Sequence, residues 1–315
     1  MPSKKILVIV GPTASGKTRM AVELAKAHNG EVVSADSMQI YRRMDIGTAK
    51  PTAEEMDGVP HHMIDVADPE EDFSVARYVE MASACVDDIL ARGKLPIVAG
   101  GTGLYVDSLL SGRTFAAFSP DSSLRKELEA ELAERGGEAM LEELSQVDPE
   151  AAARLHPNDH KRIVRALEVY RSTGKTISEH NRETRALPPR YEALTIGLNF
   201  QDRADLWARI DQRVDQMAAA GLEREVRELL SSGLSPRCTA MQAIGYKEFV
   251  AAVEGTMTWR EAEELVKLRS RQYAKRQLTW FRRNPEVHWL LWEKNPNFGN
   301  ARQRSTELLE EFGLG

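Results

Sequence analysis

Apolar positions along the chain fall into two kinds of pattern. Short runs rich in Val, Ile, Leu and Ala stand at Lys5–Val10, Glu31–Ala35, His62–Val66, Leu95–Ala99 and Ala193–Leu198. Their near-continuous apolar character predicts strands buried on both faces, as in a parallel sheet. Helical spacing marks Met20–Ala27 and, later, Arg203–Ala220, Leu222–Ser231, Thr239–Ala252 and Thr258–Arg283. A last strand is predicted at Val287–Leu291. Strands separated by helices predict an open α/β sheet flanked by helices, with ligands at the carboxyl ends of the strands.

From Ser119 to about Arg190 the strand pattern disappears. Helices are predicted at Ser122–Arg135, Glu138–Val147, Glu150–Leu155 and Asp159–Thr173, punctuated by Pro120, Asp148-Pro149 and His156-Pro157. The expected organisation is a core domain of residues 1–118 plus 191–315, interrupted by an all-helical insertion over 119–190. The turn-rich Gly112–Pro120 stretch and Leu187-Pro188-Pro189 bound the insertion.

Composition narrows the class. A chain of 315 residues, 42% hydrophobic and 29% charged, is globular and long enough for one large or two ordinary domains. Cys85 and Cys238 are far apart and in no metal-ligand spacing, which excludes a disulfide framework and a cysteine zinc site and suits a reducing cytoplasm. No apolar stretch reaches the roughly 18 residues of a membrane span, and the run behind Lys4 and Lys5 is too short for a signal peptide. The net charge of −6 alone argues against nucleic acid. Its distribution argues the other way. Residues 119–153 hold ten acidic and three basic residues, 154–190 hold nine Lys/Arg against four acids, and 267–285 hold seven Lys/Arg and no acid. Such segregation can create a positive surface on an acidic protein.

Candidate chemistry centres on Gly11-Pro12-Thr13-Ala14-Ser15-Gly16-Lys17-Thr18, between the first predicted strand and the first helix. Strand, glycine loop and helix are the context that makes this spacing a phosphate-binding loop. Backbone N–H groups and the helix dipole converge on an anion. Lys17 adds a cation, and the Thr18 hydroxyl can hold Mg²⁺. The motif implies a bound di- or triphosphate without specifying the reaction.

Asp36 ends the second predicted strand and can serve as a base, as a water-mediated Mg²⁺ ligand, or as a helix cap. Gln39 follows it, an amide able to read a base edge. Gly100-Gly101-Thr102-Gly103 implies close backbone approach to something, or a tight strand-to-helix turn. With no acid ending that strand, Asp36 and Asp65 are the available carboxylates near a phosphate. Lys161, Arg162 and Arg165 share a helical stretch followed by more basic residues, which suits a phosphate backbone. Arg213 sits near Arg209 and Asp211, and its spacing alone suggests a surface ion pair. Residues 269–283 interleave cations with Tyr273, Trp280 and Phe281, which reads as stacking platforms or as core anchors.

Taken together, GPTASGKT, SADSMQIYRRMDIGTAKP, PHHMIDV, GGTGLYVDSLL, HPNDHKRIVRALEVY, STGKT at 172–176, AIGYKE and AKRQLTWFRR resemble the bacterial tRNA dimethylallyltransferases, also called tRNA isopentenylpyrophosphate transferases. The resemblance spans nearly the whole chain in order. It implies a P-loop NTPase-like parallel sheet with a helical insertion. The implied reaction carries a dimethylallyl group from its diphosphate to the exocyclic amine of the adenosine 3′ of the anticodon, in tRNAs reading codons that begin with U. By resemblance, Thr13, Ser15, Lys17 and Thr18 hold the diphosphate and its Mg²⁺, and Arg213 clamps the diphosphate from the far side. Asp36 accepts the amine proton, and Asp36, Ser37, Met38 and Gln39 surround the flipped base. Thr102, Arg125, Lys161, Arg162, Ile163, Val164 and Arg165 contact the tRNA, with Gln242, Ala243, Ile244, Gly245, Tyr246 and Lys247. The insertion grips the anticodon arm. A cytoplasmic monomer is expected, with no membrane partner. The competing readings are a small-molecule P-loop kinase that uses ATP, a non-catalytic RNA-binding switch, and an adenylate isopentenyltransferase acting on free nucleotides. The insertion and its basic run favour the larger acceptor.

Overall fold

The computed structural model describes residues 4–112, 122–185 and 188–314. The chain divides into two compact units, Met1–Leu110 with Arg190–Gly315, and Ser111–Pro189.

In the first unit the elements run β1 (Lys5–Val10), α1 (Lys17–Ala27), β2 (Gly30–Ser34), α2 (Ala53–Met56), β3 (His61–His62), α3 (Val75–Ala91), β4 (Leu95–Gly100) and α4 (Gly103–Leu110). In the second unit they are α5 (Ser122–Val147), α6 (Pro149–Ala152), α7 (His160–Thr173) and α8 (Ile177–Arg185). The first unit resumes with β5 (Glu192–Phe200), α9 (Arg203–Ala220), α10 (Leu222–Ser231), a 3₁₀ turn at Ala240–Gln242, α11 (Tyr246–Val253), α12 (Trp259–Phe281), β6 (His288–Trp292) and α13 (Phe298–Phe312).

The six strands form one sheet in the order β3-β2-β4-β1-β5-β6, and every neighbouring pair is parallel. The central strand β1 has Ile6 to Val10 fully buried, which is why its sequence shows no polar alternation. Two apolar clusters flank the site. One joins the sheet to α1 and α13, and the other packs α9–α12 against Ile40, Tyr41 and Met44.

Several expectations are corrected. The predicted strand His62–Val66 stops at His62, because Met63 and Asp65 adopt positive φ (63° and 56°) and turn the chain away. Lys50 then holds Asp65 by a 2.5 Å contact. The predicted helix Thr239–Ala252 is broken: Ala243 is extended (ψ 149°) and Gly245 has φ 100°, so α11 starts only at Tyr246. Helix α13 follows the final strand, beyond the last element that the sequence pattern predicts. In the second unit, the break between the predicted Ser122–Arg135 and Glu138–Val147 helices falls at Gly136, whose φ of 79° and ψ of 164° are non-helical. The Ser172–Thr176 segment is a helix stop, with Gly174 at φ 72°. Most of the turn-rich Gly112–Pro120 stretch, and Leu187, lie outside the described residues.

The segregated charges of the second unit largely cancel on folding. Arg171 bridges Glu131 and Glu143, Arg182 and Arg154 share Glu150, Lys175 meets Glu183, and Arg165 meets Glu168. Lys161 and Arg162 are exposed and have no carboxylate within ion-pair distance among the described residues. The net basic stretch seen in the sequence therefore reduces to Lys161 and Arg162 as a small patch without carboxylate partners among the described residues.

Candidate active site

β1 delivers the chain to Gly11 at the carboxyl edge of the sheet. Gly11 has φ 148°, and a Cβ there would lie 2.3 Å from the Leu198 carbonyl oxygen. Gly16 is left-handed (φ 89°), and a Cβ there would strike the Phe298 ring at 2.8 Å. Both glycines are thus required by the packing of the loop against its own sheet and α13. Trp292 Nε1 donates to the Ser15 carbonyl at 2.8 Å and fixes the loop from β6. The first N–H groups of α1 have no intrahelical acceptor. The Ser15 hydroxyl is buried without a hydrogen-bond partner among the described residues. Such orphaned donors fit an oxyanion.

Two cavities meet at this loop. One of about 430 Å³ is lined by Asp36, Ser37, Met38, Gln242 and Tyr273, among others. The other, about 710 Å³, is lined by residues 14–19, Arg209 and Gln216 among others. Lys17, Thr18, Ala49, Arg213 and Met217 line both.

Lys17 Nζ donates to the Pro12 carbonyl at 2.7 Å. Burial, with Arg213 nearby, lowers its pKa to about 7, while Asp36 pulls the other way. Burial also lowers the Arg213 pKa, and Asp36 again opposes this. Neither cation has a carboxylate within ion-pair distance among the described residues, and Arg213 makes only a 3.4 Å contact to the Ala49 carbonyl. The surface ion pair suggested by the spacing of Arg213 is instead made by Asp211 with Arg271, at 2.6 Å. Two half-buried cations side by side, without a carboxylate partner among the described residues, are unfavourable in a folded chain unless an anion joins them.

Asp36 stands two residues past the end of β2. Its Oδ1 accepts from the backbone N–H of Met38 (2.9 Å) and of Gln39 (3.4 Å). Oδ2 has no protein partner among the described residues. The capping role and the chemical role open to this residue are therefore divided between its two oxygens. Thr102 Oγ1 accepts from the Ser37 N–H at 3.1 Å and anchors the same turn.

The structure reassigns several residues. Gln39 uses its amide on the chain itself, with Oε1 3.2 Å from Ser34 Oγ and Nε2 donating to the Thr48 and Ala49 carbonyls. Asp65 is held by Lys50 and does not line either cavity. Tyr246 is fully buried and donates its hydroxyl to Glu225, so its side chain offers no surface. Ile163 and Val164 are core residues of the second unit. The exposed neighbours of these residues, Lys161, Arg162, Gln242 and Lys247, remain available to a ligand, with Ala243 and Ile244 half-buried. Gly245 supplies the turn into α11. Arg125 meets Glu129 and Glu168.

The close approach implied by the glycine turn is made by the chain itself. A Cβ on Gly100 would lie 2.2 Å from the Ala35 carbonyl oxygen, on Gly101 2.1 Å from Gln277 Nε2, and on Gly103 2.2 Å from Trp280 Cδ1. Along α12, Lys267, Arg269 and Arg271 are ion-paired, whereas Lys275, Arg276, Arg282 and Arg283 are exposed without a carboxylate partner among the described residues. Phe281 is buried, and Trp280 donates to Asp107 at 2.9 Å. The aromatics are therefore largely anchors, and the cations face water.

Sequence reasoning assigns no role at the loop to Arg209, one turn before Arg213, yet its Nε donates to the Ala14 carbonyl at 3.4 Å. The i, i+4 spacing from Arg213 is the available signal. Among the described residues, no group of three or more His, Cys, Asp or Glu is placed to hold a metal. The donors near the loop are the Thr18 hydroxyl and the Asp36 carboxylate. They suit an ion such as Mg²⁺ that is held mainly by water and phosphate oxygens. No helix among the described residues is long and apolar enough to cross a membrane.

A family model described as IPP transferase matches residues 39–284. The tRNA dimethylallyltransferase of Geobacter sulfurreducens is 50% identical over 311 residues, covering 98% of this chain and 97% of the relative. That of Acetivibrio thermocellus is 50% identical over 285 residues, 90% and 91% of the two chains. A solved tRNA isopentenylpyrophosphate transferase from Bacillus halodurans is 44% identical over 98% of this chain and 97% of its own, with a TM-score of 0.73. A eukaryotic dimethylallyltransferase solved acting on tRNA is 32% identical, covers 98% and 79%, and has a TM-score of 0.84.

Proposed function

Because the chain belongs to the IPP transferase family and is a tRNA dimethylallyltransferase, we propose how its own residues perform the transfer. The donor is dimethylallyl diphosphate. The acceptor is the exocyclic amine of the adenosine 3′-adjacent to the anticodon, in tRNAs reading codons that begin with U. The observation that carries this reading is the pair of half-buried cations, Lys17 and Arg213, which have no carboxylate partner among the described residues and are shared by two cavities, with Asp36 lining one of them.

The diphosphate lies between Lys17 and Arg213, with Thr13, Ser15, Thr18 and the loop N–H groups around it. As the bond from the allylic carbon to the diphosphate oxygen breaks, negative charge grows on that oxygen. Lys17, Arg213 and the loop N–H groups around it stabilise that growing charge. The amine nitrogen forms the new bond to the same carbon and gives its proton to Asp36 Oδ2. Oδ1 holds the carboxylate in place through Met38 and Gln39. A neutral arylamine is a weak nucleophile, and a positioned base assists it. The Thr18 hydroxyl would hold Mg²⁺, which would supply further positive charge to the leaving group.

The adenine must leave the anticodon stack to reach Asp36. The turn of Asp36, Ser37 and Met38 receives it, and Gln39 supports that turn from behind. Lys161, Arg162 and the unpaired cations of α12 serve the tRNA backbone, with Thr102, Arg125, Arg165, Gln242 and Lys247 as further contacts. The helical unit grips the anticodon arm. The reading includes a monomer acting in the cytoplasm, in keeping with two free thiols, Cys85 and Cys238.

The test is incubation with unmodified tRNA and labelled dimethylallyl diphosphate, without nucleotide, followed by nucleoside analysis. A prenylated adenosine at the position after the anticodon is expected. Turnover that requires ATP and leaves the tRNA unmodified would overturn the reading.

A further inference from the structure

Gln277 is a polar side chain buried near the C-terminal end of α12, next to Lys275 and Arg276, which are exposed cations. Its amide spans two loops. Oε1 accepts from the Thr13 N–H at 2.9 Å, and Nε2 donates to the Gly101 carbonyl at 3.0 Å. The two partners fix the orientation of the amide, since a flipped amide would set donor against donor and acceptor against acceptor. The fit is mutual: any Cβ on Gly101 would overlap Nε2. Gln277 is thus joined both to the phosphate loop and to the glycine turn, and it lines the cavity that holds Asp36.

We propose that Gln277 is a positioning residue for the transfer, setting the phosphate loop for the diphosphate by holding Thr13 against the glycine turn. The bond to Thr13 has a specific consequence. That N–H is already committed to Gln277, so Thr13 presents its side chain rather than its backbone to the ligand, and the anion is left to the later N–H groups of the loop. The helix that carries the unpaired cations Lys275 and Arg276 therefore also sets the geometry of the loop. This proposal rests on the reading that the loop binds the diphosphate.

Gln277→Met preserves length and removes both hydrogen bonds. KM for dimethylallyl diphosphate should rise about tenfold, the scale of one broken hydrogen bond, with a smaller change in kcat and no change in KM for tRNA. Gln277→Glu keeps an acceptor for Thr13 and regains a donor for Gly101 only when protonated. Its KM, taken relative to wild type at each pH, should therefore fall as pH drops from 8 to 5.5, while that of Gln277→Met stays flat. A parallel loss in kcat and both KM values with a lowered melting temperature is what a merely structural role gives, and it overturns the proposal. So does a wild-type KM in Gln277→Met. Inorganic pyrophosphate binding to Lys17→Ala separates the two levels. If Lys17→Ala loses pyrophosphate while Gln277→Met behaves as wild type, only the Gln277 proposal falls. If Lys17→Ala binds it normally, the loop reading fails and takes the proposal with it.

Discussion

Tyr246 donates its hydroxyl to Glu225 Oε1 at 2.5 Å, and both side chains are buried. The same carboxylate accepts from the backbone N–H groups of Asp45, Ile46 and Gly47 at 2.8–3.2 Å. Tyr246 also fills the space beside Gly47, where a Cβ would come within 2.4 Å of its ring. The pair thus secures the 45–49 loop, whose residues line both cavities. Burial and the Glu225 charge raise the phenol pKa, so the hydroxyl stays a donor. Tyr246→Phe leaves Glu225 short of one partner. A charge-assisted hydrogen bond of this kind contributes about 1.5–3 kcal/mol, and urea unfolding should report a loss on that scale. The affinity for tRNA should stay at wild type. A tRNA affinity weakened in Tyr246→Phe at each salt concentration would mean that the tyrosine touches the nucleic acid after all.

Lys17 gives a prediction about protons. Its pKa of about 7 in the folded chain lies below the ordinary lysine value of 10.5. Between those two pH values the unfolded chain holds a proton that the folded chain lacks, so this group makes stability rise with pH across that window. Below about pH 7 both states hold the proton, and the burial penalty is then at its full extent. A bound diphosphate favours the charged amine, so binding at pH 8 should draw a proton from solution. Calorimetry in two buffers of different ionisation enthalpy measures this directly. Lys17→Met should abolish the proton uptake, weaken diphosphate binding and stabilise the ligand-free protein at pH 6. Equal uptake in both proteins would assign the proton to another group.

Asp36→Asn keeps an acceptor at Oδ1 for Met38 and Gln39 and removes the base at Oδ2. Single-turnover rates should fall by about 10²–10⁴-fold, with tRNA and diphosphate affinities close to wild type. Arg213→Ala should instead act through the diphosphate. Losing one preorganised donor to a developing oxyanion typically costs about 10²–10³-fold in rate. If Asp36→Asn turns over at the wild-type rate, the proton goes elsewhere. If Arg213→Ala has wild-type diphosphate affinity and rate, the arginine is not part of the site.

What could be read from the sequence was local. β1, the phosphate loop and α1 follow from a buried apolar run, two glycines with fixed steric reasons and a helical period. α9 and α10 have the ends that their periodicity and Gly221, at φ 101°, dictate. What could not be read depended on partners distant in sequence. His62–Val66 looks like a strand because nothing in it announces that Lys50 will hold Asp65 in a turn. Gln39 resembles a reader of bases because the carbonyls of Thr48 and Ala49 and the Ser34 hydroxyl come to it only in the fold. Gln277 carries no signal beyond being a polar residue in a basic helix, since its partners Thr13 and Gly101 lie more than 170 residues away. Charge is the most misleading quantity. The acidic and basic stretches of the helical unit are legible, but their mutual pairing is not.

That pairing sharpens the prediction for tRNA. Lys161 and Arg162 are exposed and have no carboxylate partner among the described residues, whereas Arg165 is already engaged with Glu168 at 2.9 Å. Removing one cation from a phosphate lowers the slope of log affinity against log salt by about 0.7–0.9. Lys161→Ala with Arg162→Ala should therefore reduce the slope by roughly 1.4–1.8 units. A matched control removes two other exposed cations of the same unit, Lys175 and Arg182, whose charges are met by Glu183 and Glu150. That control should leave the slope near wild type. Both double variants change the net charge of the protein by the same amount, so a general electrostatic effect would move them equally. Diphosphate binding, which belongs to the loop at Lys17, should be unchanged in both. Binding measured at several salt concentrations decides the matter: equal slopes in the two variants would mean that Lys161 and Arg162 are only a solvated helix face.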